Sequence, residues 1–174
     1  MLKLINKKKT QENKLYNKIL FLSRNKLFYT KMHLNDTFQN RINLIFLHIS
    51  FIFIKSKQKY KKTDYQIFFQ RIFDLVFIRI DQNMREMGYG DTTVNKNIKF
   101  LVKTFYNILL YCENYKAKNL NSKNRFLFNY LTLKNVKNDI ENNDLVKYFD
   151  QYEAFCLDLS LDSVLKGDLN FNYK

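Results

Sequence analysis

The chain reads as an all-α protein, a single compact domain of about six helices with no significant sheet. Three observations carry that reading. Apolar side chains recur at i, i+3, i+4 and i+7 wherever a period is clear, and no segment shows the strict alternation of a half-buried strand. Proline is absent from all 174 residues and glycine occurs three times, so helix breakers are scarce. No Gly/Ser-rich linker and no internal repeat divides the chain. A chain of this length buries roughly 70% of its unfolded surface, which 46% apolar residues can supply. Residues 1–10 read as a basic N-terminal tail and residues 11–174 as the helical domain.

Leu15, Ile19 and Leu22 set the face of a first helix, expected from about residue 11 to 30. Asn35-Asp36-Thr37 offers a cap, and a second helix follows to about Lys57. Within it, Arg41, His48 and Lys55 are seven apart and so share one side. Residues 57–64 form the most charged connection, with Thr63 or Asp64 placed to cap a third helix from about Tyr65 to Met87. There Gln70, Asp74, Asp81 and Arg85 fall in one stripe about 60° wide. Phe69, Ile72, Phe73, Val76, Ile80 and Met84 lie opposite, so this helix is expected at the centre of the fold. Asp81 precedes Arg85 by four, the favourable orientation for an ion pair. A fourth helix, about 92–115, presents Ile98, Leu101, Phe105, Ile108 and Cys112 on one face and Lys96, Lys99, Lys103 and Asn107 on the other. Further helices are expected at Phe126 to Val136 and at Asp144 to Leu159.

Two of the three glycines fall in Arg85-Glu86-Met87-Gly88-Tyr89-Gly90-Asp91. Gly88 stands where the third helix ends and can take the left-handed conformation that closes it. Gly90 lets the chain reverse, and Asp91 or Thr92 is placed to cap the next helix. A phosphate loop fails on spacing. A Walker loop needs two glycines five apart followed by Lys-Ser/Thr, and a dinucleotide loop needs three after a strand.

The formal charge of +14 points to acidic partners: nucleic acid, an anionic membrane or acidic protein surfaces. Part of it is compositional, since Lys, Asn, Ile, Phe and Tyr are in excess together, as in AT-rich coding sequence. Lys96, Lys99 and Lys103 form a basic ridge suited to salt-sensitive, positional contacts. No helix-turn-helix or zinc-finger pattern supports sequence-specific DNA reading. Cys112, Cys156, His33 and His48 lack metal-ligand spacing, so no metal or cofactor is expected, and the cysteines read as buried thiols of a reducing compartment. No nucleophile has a sequence-evident base. The most apolar run, Ile42 to Ile54, is shorter than the roughly 20 residues a membrane span needs.

The glycine stretch, with Asp81 upstream and Lys96, Lys99, Phe105, Tyr106 and Tyr111 downstream, resembles the signature of the ubiquinol–cytochrome c chaperone family. Asp36-Thr37-Phe38, Arg41, Leu47-His48 and Phe51 are similar to the block preceding that signature, and Gly167-Asp168-Leu169 looks like the family's small C-terminal ending. The resemblance implies a non-enzymatic helical chaperone that binds newly made cytochrome b and promotes assembly of the respiratory bc1 complex. It further implies a small helical partner protein and work close to the ribosome and the inner membrane. Partner contacts are implied at Asp81, Arg85, Glu86, Gly88, Gly90, Asp91, Lys96, Lys99 and Tyr106, with Arg41 and His48 as further polar contacts. The chain starts almost directly at the first family helix, which points to the bacterial form. That form is cytoplasmic and peripheral on the cytoplasmic face of the inner membrane; a eukaryotic member would act on the matrix side. The alternative drawn from the residues alone is a basic helical protein binding RNA or ribosome, docked on an anionic membrane.

Overall fold

Twelve consecutive residues of one helix, Ile42 to Phe53, are all buried, and the rest of the molecule is arranged around that helix. The computed structural model describes residues 2–134 and 143–173. In chain order the helices are α1 (Leu2–Ser23), α2 (Leu27–Thr30), α3 (Phe38–Lys59), α4 (Lys62–Glu86) and α5 (Asp91–Glu113). A 3-10 turn follows at Tyr115–Ala117, then α6 (Leu120–Tyr130), α7 (Asn143–Asp158) and α8 (Leu161–Lys166). Sheet structure among the described residues amounts to an isolated antiparallel bridge between Leu34 and Leu133. The all-α reading therefore holds.

The axis is α3, which packs against α1, α4, α5, α7 and α8. The expectation that the third predicted helix, now α4, is central is corrected. Its apolar arc includes Ile67 and Ile78, both about half exposed, and Phe69 and Phe73 are only partly covered. What makes α3 central is its near-unbroken apolar run, and Asn40, Asn43 and Ser50 within this helix are hydrogen-bonded. Ser50 Oγ donates to the Phe46 carbonyl at 2.7 Å, and the Asn43 amide donates to the Tyr130 carbonyl at 2.6 Å. Asn40 donates to the Asn35 and Thr132 carbonyls and accepts from the Thr132 N–H.

Thr37 caps α3 as expected, its hydroxyl accepting from the Asn40 N–H. Other boundaries moved. The first helix ends at Ser23, because Asn25 turns the chain by accepting from the Leu27 N–H; α2 then delivers Phe28 to the core, with Met32 just beyond it. Neither Thr63 nor Asp64 caps α4, which begins at Lys62; Asp64 lies in the first turn, where a carboxylate suits the helix dipole. The helix expected at Phe126 to Val136 is α6, begun earlier by the Asn119 cap and ended at Tyr130. Beyond it the backbone extends to pair with Leu34 and, through the Lys134 N–H, with the His33 carbonyl; Val136 lies outside the described residues. Helix α7 matches its expected span within a residue.

Helix α8, of six residues, is too short to show a period in the sequence. Ser160 caps it, and Gly167 closes it at φ +72°. A Cβ on Gly167 would stand 2.9 Å from backbone atoms of Lys14 and Leu15, so only glycine lets α8 lie this close to α1. Cys112 and Cys156 are buried free thiols, and burial pushes both thiol pKa values up.

Candidate partner-binding face

Helices α4 and α5 form a hairpin whose tip is residues 86–90. Gly88, at φ +87°, closes α4: its N–H donates to the Arg85 carbonyl and the Tyr89 N–H to the Met84 carbonyl, the paired bonds of a Schellman motif. Arg85 then ties the two helices together. Its Nε donates to Asp81 at 2.6 Å, and a second guanidinium nitrogen pairs with Asp91 at the start of α5. Asp91 is therefore spent on Arg85, and neither it nor Thr92 caps α5, whose N-cap is Gly90. At φ −70° and ψ 157°, Gly90 has a conformation open to any residue, and a Cβ there would meet nothing within 4 Å. The fold requires glycine at 88 and does not require it at 90. Glu86, Met87 and Tyr89 are exposed beside it.

Below the tip, the seam between the two helices is aromatic. Phe69, Phe73 and Phe77 repeat at i, i+4 along α4, with centroids 5.9 and 4.5 Å apart. They meet Phe105 and Tyr106 of α5, Phe73 lying 5.6 Å from the first and 5.9 Å from the second. The floor, Phe77 and Phe105, is buried; Phe69, Phe73, Val102 and Leu109 are half-buried, and Tyr106 is 42% exposed. At the far end the seam opens into a cavity of about 450 Å³ beside Tyr65, Phe69 and Leu109, edged by a Lys57–Glu113 ion pair at 2.7 Å. The phenylalanine spacing was visible in the sequence. Which rings stay uncovered depends on what packs opposite, and no local signal holds that.

The outer face of α5 carries the ridge. Lys96, Lys99 and Lys103 are exposed, and among the described residues none of them pairs with a carboxylate. Phe100 and Leu110, each more than 60% exposed, stand among them together with Tyr106. Between Asp91 and Glu113 the helix has no acidic residue.

Of the implied contact residues, the structure gathers Asp81, Arg85, Glu86, Gly88, Gly90 and Asp91 at the tip, with Lys96, Lys99 and Tyr106 along the adjoining helix. Arg41 and His48 are elsewhere and in unlike settings. Arg41 forms a two-pronged pair with Asp36 at 2.7 and 2.9 Å at the exposed start of α3. His48 is wholly buried. Its Nδ1 lies 2.6 Å from the Leu44 carbonyl, which only accepts, so Nδ1 carries the proton and Nε2 accepts from the Tyr148 hydroxyl at 2.8 Å. Burial pushes the His48 pKa down to about 4, keeping it neutral. A histidine so enclosed packs the core and is out of a partner's reach. Among the described residues no cluster of His, Cys, Asp or Glu is placed to hold a metal ion, and no helix is long and apolar enough to cross a membrane.

The fold has a known likeness. The crystal structure of the Cbp3 homologue from Brucella abortus superposes with a TM-score of 0.81 over 98% of this chain and 93% of that one, at 22% identity. A comparison with curated protein sequences finds no match. The family model described as ubiquinol-cytochrome C chaperone matches residues 30–171. That match runs from α2 to the C-terminal segment and takes in both the glycine hairpin and the aromatic seam, so the chain belongs to the ubiquinol–cytochrome c chaperone family.

Proposed function

We propose that this protein is a chaperone that binds newly made cytochrome b and keeps it competent for assembly into the ubiquinol–cytochrome c reductase (bc1) complex, without catalysing a reaction. The observation that carries the reading is the α4–α5 seam, an aromatic groove left half open beside a row of unpaired lysines. Family membership supports it. Helices destined for a bilayer cannot be left in water, and a groove of this kind receives a helix by its apolar face. Arg85, Glu86 and Asp91 at the tip, with Lys96 and Lys99 alongside, then supply polar contacts that set the client's register. The work is done at the membrane face where cytochrome b is synthesised, with a small helical partner protein.

A photo-reactive residue in place of Tyr106 should crosslink to cytochrome b during its synthesis, and loss of the protein should lower assembled bc1 complex while sparing other respiratory complexes. Unchanged bc1 levels in the deletion would sink the proposal.

The unpaired Lys96, Lys99 and Lys103 favour a second, compatible use: contact with ribosomal RNA near the site of synthesis. Such binding should fall steeply with salt, and neutralising each lysine should lower the log–log slope by about 1. Absence of RNA binding near physiological salt removes this use and leaves the groove untouched.

A further inference from the structure

Away from the hairpin, α6 leans on the C-terminal end of α5 and on the 3-10 turn, and the junction holds a cleft of about 290 Å³. Its wall is firmly built. The Tyr111 ring lies flat against Phe126, with centroids 3.7 Å apart and planes within 4°, and the Tyr111 hydroxyl donates to the Ser122 carbonyl at 2.7 Å. The Asn119 side chain accepts from the Ser122 N–H at 2.9 Å and so fixes the start of α6.

Lys118, Arg125, Asn107 and Asn129 line this cleft, and no carboxylate does. Among the described residues neither cation forms an ion pair; Lys118 Nζ stands 5.7 Å from the Tyr111 ring centroid, a weak hold. Lys123, two residues from Arg125 on the same helix, shows the contrast, being paired with Asp150 at 2.7 Å. The cleft thus gathers a guanidinium fork, an ammonium and two carboxamides, all with donors uncommitted. A group with several acceptor oxygens and negative charge matches that set, and a phosphate matches it better than a two-oxygen carboxylate. A cleft of this volume has room for a phosphate ester.

We propose that the α5–α6 cleft binds a phosphate group, carried by a glycerophospholipid headgroup or a small phosphorylated metabolite, with Arg125 and Lys118 as its charge partners and Asn107 and Asn129 as its neutral donors. The inference stands independently of the chaperone reading.

The test is an NMR titration of the full chain with inorganic phosphate. A double variant, Lys118→Gln with Arg125→Gln, is compared with a charge-matched control, Lys14→Gln with Lys18→Gln on α1. Saturable shifts of the Asn107 and Asn129 carboxamides are expected, at least tenfold weaker in the cleft variant and unchanged in the control. Vesicles of phosphatidylglycerol in phosphatidylcholine then separate the sources. A matching tenfold loss of vesicle binding in the cleft variant assigns a lipid headgroup, and unaltered vesicle binding assigns a soluble phosphate ester. No saturable shift, or equal loss in the two double variants, overturns the proposal. So does displacement of phosphate by short RNA far more tightly than by glycerophosphate, which would make the cleft a nucleic-acid surface.

Discussion

Two aromatic assemblies share this fold and are completed differently. Around His48, the rings of Phe28, Tyr148, Phe149 and Tyr152 are all buried, and Phe171 of the C-terminal segment closes over Tyr148 and Tyr152 at 5.4 and 5.1 Å. Its polar atoms have partners: His48 with Leu44 and Tyr148, and the Tyr152 hydroxyl with the His48 carbonyl. The α4–α5 seam is also built of stacked and edge-on rings, yet two are half covered and Tyr106 is exposed. Both are rich in aromatic rings; the covering element differs. The first assembly is closed within the chain, and the second leaves apolar surface open to solvent.

That contrast is broken most severely at its closed side. His48→Ala removes a buried ring and strands the Tyr148 hydroxyl, and should cost about 3–5 kcal/mol in denaturant unfolding. The same histidine makes the closed side pH-sensitive. Its folded pKa, about 4, lies below its ordinary 6.5, so the unfolded chain takes up the proton first. Its contribution is complete above about pH 6.5 and is lost as pH falls towards 4, by about 3 kcal/mol in all. Subtracting the profile of His48→Gln isolates this loss; coincident profiles would show that the ring is hydrated.

Gly167→Ala should cost about 2–3 kcal/mol, because the new methyl meets the α1 backbone. Gly88→Ala, strained in φ but open in space, should cost about 1 kcal/mol. The smallest effects on stability belong to the open side. Tyr106→Ala, which loses the contacts with Phe73 and Phe105, should cost about 1 kcal/mol, and Gly90→Ala should stay within about 0.5 kcal/mol of the parent in the same unfolding assay. If both also leave the level of assembled bc1 complex intact, the open seam is a packing remnant and the comparison loses its functional meaning.

The long helices α3, α4, α5 and α7 were legible because each repeats its apolar face over several turns. Helices α2 and α8, of four and six residues, are too short for any period to show, and the break before α2 rests on the single side chain of Asn25. The rank of the helices was misread, since an apolar circumference on α4 looked like centrality when part of it is exposed surface. At the hairpin, Gly88 and the Asp81–Arg85 pair followed from spacing along one helix. The reach of Arg85 across the turn to Asp91 did not, because it depends on the path of the turn between them. The α5–α6 cleft was wholly hidden, its residues being drawn from two helices and the turn that joins them.

The seat of Gly167 on the backbone of Lys14 and Leu15 also orders events in time. Helix α1 packs on α3 and α4, but its other neighbour, α8, is made only after all the helices between them. Loop closure across the helices that separate them is slow relative to helix formation. During synthesis one flank of α1 therefore stays bare until α8 emerges, and the clasp closes only after the helices between them are made. A chaperone built this way passes through its own brief period of exposed apolar surface before it can shelter another protein.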